Sequence, residues 1–274
     1  MLKITMVISV FICWFITLCA CNSQSQSNNN QIISMQDNNL EKVIREILLK
    51  PEGPIYKEEM ESITSIIAEQ KEIASISGLE YCANLERLRI MANRISDISP
   101  LASLYNLEYL FLEDNEIKDI TSLKQITGLK ELSIDSNPIS DIASLSTLKE
   151  LRKINVSATE ICDISPLSQL SNLTELNLNA NPQVTDISPL SEITSLKVLS
   201  FSNSQIDDVS SLETLTNLFQ LSLNLNQITD IQPVAFPSAY CESDEQAKRN
   251  DNIVIITQHI TVDIHFTVLP QFHT

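Results

Sequence analysis

The sequence predicts an α/β solenoid, with a curved sheet of short parallel strands on its concave side and short turns or 3-10 segments on its convex side. Three observations carry that prediction. Shifted by 22 residues, the chain lines up with itself over about eight copies. Within each copy the apolar residues keep fixed positions that suit one turn of a coil and match neither a helix nor a hairpin. Only three glycines occur in the whole chain, so its many turns must rely on Asn, Asp, Ser and Pro.

The copies read LERLRIMANRISDISPLASL, LEYLFLEDNEIKDITSLKQI, LKELSIDSNPISDIASLSTL, LRKINVSATEICDISPLSQL, LTELNLNANPQVTDISPLSEI, LKVLSFSNSQIDDVSSLETL and LFQLSLNLNQITDIQPV, with a weaker first copy. They begin at Ile63, Leu85, Leu107, Leu129, Leu151, Leu173, Leu196 and Leu218, and the single longer step is an insertion at Pro182-Gln183-Val184. This period and pattern mark a leucine-rich repeat.

Each position has a physical task. Leucines at positions one, four and six point inward from a short strand, and the later Ile, Val and Leu positions complete the core. Asn at position nine (Asn93, Asn115, Asn137, Asn181, Asn226) carries both donors and an acceptor. Stacked, such side chains can satisfy backbone groups where the chain leaves the strand. Thr159 and Ser204 replace Asn in two copies and should weaken those rungs. Ser-Pro at Ser99-Pro100, Ser165-Pro166 and Ser188-Pro189 reads as an N-cap followed by Pro at the first helical position. The recurring Asp97, Asp119, Asp141, Asp163, Asp186, Asp208 and Asp230 should cap the same convex turns.

The two ends differ from the repeats. Lys3 precedes an uncharged, mostly apolar run from Ile4 to Leu18, short for a membrane span and shaped like a secretory leader. It closes in Leu18-Cys19-Ala20-Cys21, which resembles a bacterial lipobox. That resemblance implies a signal peptide over 1–20 and a lipid anchor on Cys21, and the alternative is an uncleaved N-terminal anchor. Either places the remainder outside the cytoplasm, in the cell envelope. NSQSQSNNNQ follows, with nothing to bury, so 21–36 is expected to be a disordered tether. The net charge is −17, and losing Lys3 with no acid makes it −18. Such a surface repels nucleic acid and anionic lipid alike, which leaves acyl chains as the means of attachment. Three cysteines remain beyond Cys21: Cys82 at a core position, Cys162 and Cys241. An odd number excludes a full disulfide framework, and their spacing matches no zinc pattern.

LxxLxIxxNxIxDISPL is close to the consensus of internalin-type leucine-rich repeats of bacterial surface proteins, and the chain resembles that family over about residues 37–234. The lead-in Asp37–Glu46 is similar to the family's amphipathic cap helix. Asp37 would be its N-cap, and Leu40, Ile44, Ile47 and Leu48 its buried stripe. A solenoid needs its open end covered, so a cap is also expected on physical grounds. The domain plan is then leader 1–20, tether 21–36, helical cap 37–62, repeats 63–234 and a tail 235–274. In the tail IVIITQHITVDIHFTV alternates like one or two strands covering the last coil.

Side chains on the open face of the sheet form rows across the coils. In LEYLFLEDNEIKDI the buried set is Leu107, Leu110 and Leu112, which leaves Tyr109 and Phe111 facing outward. Ile67, Met91, Arg87, Arg89 and Glu113 fall beside them, while later coils present a Glu131-Lys153-Glu175 ladder and then amides and hydroxyls. Aromatic residues, Met and Arg are enriched at protein interfaces. These seven residues are therefore the candidate ligand site. The competing reading is that arginines or the chain's own N-terminal segment merely shield the rings. No Gly-rich phosphate loop, Ser-His-Asp order or paired catalytic carboxylates occur, so no enzyme activity, cofactor or metal is expected. His259 and His265 could share a strand face with Thr261 and Asp263, which leaves a hydrolase site in the tail as the minor alternative. The resemblance implies adhesion, with a protein or glycan ligand from a host surface. An envelope assembly factor binding another bacterial protein is the other non-catalytic reading.

Overall fold

Ten strands make one sheet, and eight of them are three-residue segments delivered by successive coils. The computed structural model describes residues 31–230, Val234, and the backbone of two strands in the tail. The leader, Cys21, Cys241, His259 and the side chains of Asp263 and His265 lie outside the described residues.

The described fold starts with β1 (Ile32–Ile33), α1 (Asn38–Ile47), β2 (Ile55–Tyr56) and α2 (Lys57–Glu61). The coil strands follow: β3 (Ser65–Ile67), β4 (Arg87–Arg89), β5 (Tyr109–Phe111), β6 (Glu131–Ser133), β7 (Lys153–Asn155), β8 (Glu175–Asn177), β9 (Val198–Ser200) and β10 (Gln220–Ser222). Two tail strands, β11 (Asn252–Ile256) and β12 (Thr261–His265), complete the order. β3 to β10 pair in parallel, each with the next. β12 adds in parallel to β10, and β11 adds antiparallel to β12. Between strands run 3-10 turns such as Ser99–Ser103, Thr121–Gln125 and Ser165–Gln169 on the convex side.

One continuous core runs the length of the coils, from Ile63 in the first to Ile228 in the last, with Phe201 its largest fully buried side chain. The asparagine row supplies the polar part of that core. Asn137 is 2% exposed; its amide donates to Leu112 O at 3.0 Å and Ile134 O at 3.1 Å, and its Oδ1 accepts from Ile117 N at 3.0 Å. Asn93, Asn115, Asn181 and Asn226 likewise donate to a carbonyl of the preceding coil. The two exceptions behave differently. Thr159 keeps part of the rung, since its hydroxyl lies 3.1 Å from Val156 O and 2.8 Å from Asn181 Oδ1 and can donate its one proton to either. The buried hydroxyl of Ser204 has no hydrogen-bond partner.

The residue just before each of these positions is left-handed. Gln70, Ala92, Asp114, Ser136, Ala158, Ala180, Asn203 and Leu225 all have φ between 50° and 57°. That conformation costs a residue with a side chain about 1–2 kcal/mol. From Gln70 to Asn203, what holds it is a backbone bond to the next coil, as from Ala92 N to Glu113 O at 2.9 Å and from Ala180 N to Ser202 O at 2.8 Å.

Three expectations are corrected. The serines of Ser-Pro are the first residues of the 3-10 turns and do not cap them. The cap is the aspartate two residues earlier: Asp97, Asp163 and Asp186 each accept the serine N–H at 2.8 Å, and Asp119 and Asp208 do the same for Thr121 and Ser210. A carboxylate accepts such a bond more strongly than a hydroxyl. The backbone N–H of Thr121 and of Ser210 holds the carboxyls of Asp119 and Asp208 below the usual range.

The tether expected over 21–36 is corrected at its C-terminal end, where the sequence turns from polar to apolar at Ile32. Ile32–Ile33 form β1 against β2, and Ile33 and Met35 are buried. Gly78 sits at φ 106° under Met35, where a Cβ would meet Met35 Cγ at 3.0 Å, so this close approach requires glycine.

In α1, Asp37 is the N-cap, accepting from Asn39 N at 2.8 Å and Leu40 N at 3.1 Å. Its second oxygen accepts from Ala74 N at 2.8 Å, which ties the cap to the first coil. The buried stripe is Leu40, Val43 and Ile44 with Leu48 beside it, whereas Ile47 is 39% exposed. Val43 and Ile44 are neighbours on one face and fill the contact, and Ile47 falls on the helix's last residue.

Candidate binding face

The register of the sheet decides which side chains meet on the concave side. Arg87 pairs with Tyr109 and then Glu131, and Ile67 pairs with Arg89, Phe111 and then Ser133. Because each row advances by one strand spacing, every residue lies about 5 Å from its row neighbours. The alternation of each strand puts its middle residue in the core: Ile66, Leu88 and Leu110 are fully buried. The flanking residues are thereby forced onto the open face.

Two stacked pairs result. The Arg87 guanidinium carbon lies 4.2 Å from the centroid of the Tyr109 ring, and that of Arg89 lies 5.6 Å from the centroid of Phe111. Each contact is worth about 0.5–1 kcal/mol at a site open to water. Both rings are half-buried, Met91 is half-buried beside them, and Ile67 remains 62% exposed. Arg89 is also ion-paired to Glu69, a residue of the first coil that the sequence rows had not singled out. Arg87 has no ion-pair partner among the described residues, so its charge faces the open side. Of the seven predicted residues, Ile67, Arg87, Arg89, Met91, Tyr109 and Phe111 therefore come together on β3 to β5 and the turn after β4.

Glu113 closes this patch on its far side and behaves differently. Its Oε2 is buried with no hydrogen-bond partner. Burial pushes its carboxyl above the usual range, and the neighbouring Asp135 adds to the rise. Asp135 in turn is held by Ser133 Oγ at 3.0 Å and by Asn155 Nδ2 at 2.7 Å. From there the face becomes a strip of amides and hydroxyls bonded to one another: Ser157 Oγ to Asn155 Oδ1 at 2.8 Å, Ser200 Oγ to Asn179 Oδ1 at 2.9 Å. The charge ladder resolves into one pair, Lys153 with Glu175 at 2.9 Å.

Among the described residues no group of three or more His, Cys, Asp or Glu is placed to hold a metal ion. Cys82 is fully buried, and burial pushes its thiol up to about 12, the reverse of what a nucleophile needs. Cys162 is exposed and unpaired. Among the described residues no helix is long and apolar enough to cross a membrane.

The family description Leucine Rich repeats (2 copies) matches residues 83–125, 105–150, 149–192 and 194–235, more than half the chain. This chain belongs to the leucine-rich repeat family. Among solved structures it is similar to internalin inlF of Listeria monocytogenes, with 39% identity and a TM-score of 0.71 over 72% of this chain and 59% of that one. It is also similar to internalin C2 of the same species, with 29% identity and a TM-score of 0.70 over 73% of this chain and 88% of that one. The leucine-rich repeat protein LIC12759 of Leptospira interrogans shares the fold at 23% identity and a TM-score of 0.56, over 62% of this chain and 45% of that one. The chain thus spans less than two thirds of the length of inlF. A search of curated proteins finds no match.

Proposed function

We propose that this chain is a non-catalytic binding protein of the bacterial cell envelope, held by lipid on Cys21, that recognises a protein ligand through its concave face. The observation that carries the reading is the pair of arginine-on-aromatic stacks with Met91 and the exposed Ile67 beside them. Stacking fixes the guanidinium planes before a partner arrives, which lowers the ordering cost of binding. The uncommitted charge of Arg87 favours a ligand that offers a carboxylate. Similarity to internalins supports a surface-exposed recognition role, and the concave seam of polar groups in the later coils leaves room for a glycan on the same ligand.

The test is a pull-down with the chain from residue 32 to 274 against extracts of host surface and of bacterial envelope. Its companion is a Tyr109→Ala/Phe111→Ala variant of matched thermal stability. Retention of one partner by the parent and its loss from the variant supports the reading, and the source of that partner separates an adhesin from an envelope assembly factor. Equal retention by both forms would reduce the rings to shielded bystanders. A chelator-sensitive hydrolysis lost with residues 240 to 274 would instead place activity in the tail.

A further inference from the structure

The cap end of the solenoid leaves apolar side chains open to solvent, one of them in an unusual conformation. Leu49, just past α1, has φ 51° and is 88% exposed. The left-handed residue after a helix is ordinarily Gly or Asn. A leucine there meets both the backbone cost and the cost of an apolar side chain in water, with no packing in return. Ile32, on β1, is 61% exposed. The register sets Ile32 opposite Tyr56, so the two side chains share the outer face of the β1–β2 ribbon. Ile33 and Ile55, on the inner face, are buried. Lys50, next to Leu49, lies over the Tyr56 ring at 4.9 Å and pairs with Glu59 at 2.8 Å, which links the helix end to the ribbon.

What lies next to Ile32 is the entry of the tether. The description of the chain begins at Gln31, directly before Ile32, and Gln31 lies ten positions after Cys21. A polar coil of that length reaches roughly 18 Å. A lipid on Cys21 would therefore keep Ile32 near a bilayer, at about that distance on average and never beyond roughly 36 Å, the fully extended span of ten residues. At such range a weak apolar contact becomes intramolecular, and its effective concentration is high. An aromatic ring with a polar tip and a lysine on a long stem, as in Tyr56 and Lys50, suits the water–lipid boundary.

We infer that the cap docks on the lipid surface through Leu49, Ile32 and Tyr56, so that the solenoid stands on its first coil and not on its flank. The inference rests on the lipid-anchor reading above. Repulsion between the acidic chain and anionic headgroups selects a zwitterionic surface for the contact.

The only tryptophan, Trp14, is in the leader, so the processed chain can carry a single reporter. Leu49→Trp and Lys197→Trp variants, each acylated, are bound to phosphatidylcholine vesicles with brominated acyl chains. The expected result is a blue-shifted emission quenched several-fold for Leu49→Trp, and unquenched emission for Lys197→Trp. Adding Ile32→Ser to Leu49→Trp should restore emission while the protein still floats with vesicles. Floating protein with Leu49→Trp unquenched overturns this inference alone, and equal quenching at both positions overturns it too. Protein that does not float overturns the lipid anchor and this inference with it. A blue shift without vesicles that grows with protein concentration assigns these side chains to a second copy of the chain and overturns docking on lipid.

Discussion

Asn115 and Asn137 occupy the same position in neighbouring coils, yet alanine should be costlier at the second. Removing Asn115 leaves Leu112 O with the amide of Asn137 and Ile90 O with that of Asn93, so only Ile95 N loses its partner. Removing Asn137 strands two groups. Ile117 N loses its acceptor, and Ile134 O loses its donor because Thr159 in the next coil reaches Val156 O instead. A buried polar group left unpaired costs about 1–3 kcal/mol. Asn115→Ala should therefore cost about 1–3 kcal/mol and Asn137→Ala about 2–6 kcal/mol on the same basis. Thr159→Asn added to Asn137→Ala should recover part of the difference by supplying Ile134 O with a new donor. The assay is urea unfolding followed by circular dichroism, with the midpoint compared at unchanged slope. Equal costs, a reversed order, or no recovery with Thr159→Asn would refute the relay described for these rungs.

Glu113→Gln should stabilise the fold at pH 7 by about 1 kcal/mol, because a neutral amide removes an unpaired buried carboxylate oxygen. Since burial raises the folded carboxyl above its ordinary 4.5, stability is lost as pH climbs through that window, and the advantage of the variant should shrink below pH 4.5 in melting experiments. Ala158→Asn should raise stability by about 0.5–1 kcal/mol, since Asn tolerates the left-handed backbone better than Ala; no change in the urea midpoint would count against strain at that position. A thiol reagent at pH 8 should label Cys162 in the native chain and Cys82 only after unfolding, as read by peptide mapping. Labelling of native Cys82 at a comparable rate would contradict its burial.

The coil was legible because its apolar positions must repeat for a continuous core to form, and the row of asparagines was legible because few residues both donate and accept in so small a volume. The open face followed from strand alternation alone, which is why Tyr109 and Phe111 could be placed with Arg87 and Arg89 before any coordinates. What lay beyond the sequence was conformational. The left-handed residues from Gln70 to Asn203 share no chemistry, because the backbone bond to the next coil holds them and not their own preference. The sequence offered both serine and aspartate as caps of the convex turns, and only the geometry of a 3-10 turn decides for the aspartate. Leu49 is a related case: in sequence it adjoins Leu48 of the buried stripe, and only the end of α1 and the left-handed backbone after it show the side chain turned to solvent.

The asparagine relay has a direction. Each amide reaches back to the coil before it, so wherever the asparagine is kept the carbonyl at the end of one strand is met from the coil that follows. A chain built this way can gain or lose one whole asparagine-bearing coil and leave a joint like its asparagine neighbours, provided the two ends stay as they are. The recognition surface can therefore change length in steps of a single strand, carrying its rows of side chains forward unaltered. Lineages of such proteins would be expected to differ in coil number more readily than in the chemistry of the joints.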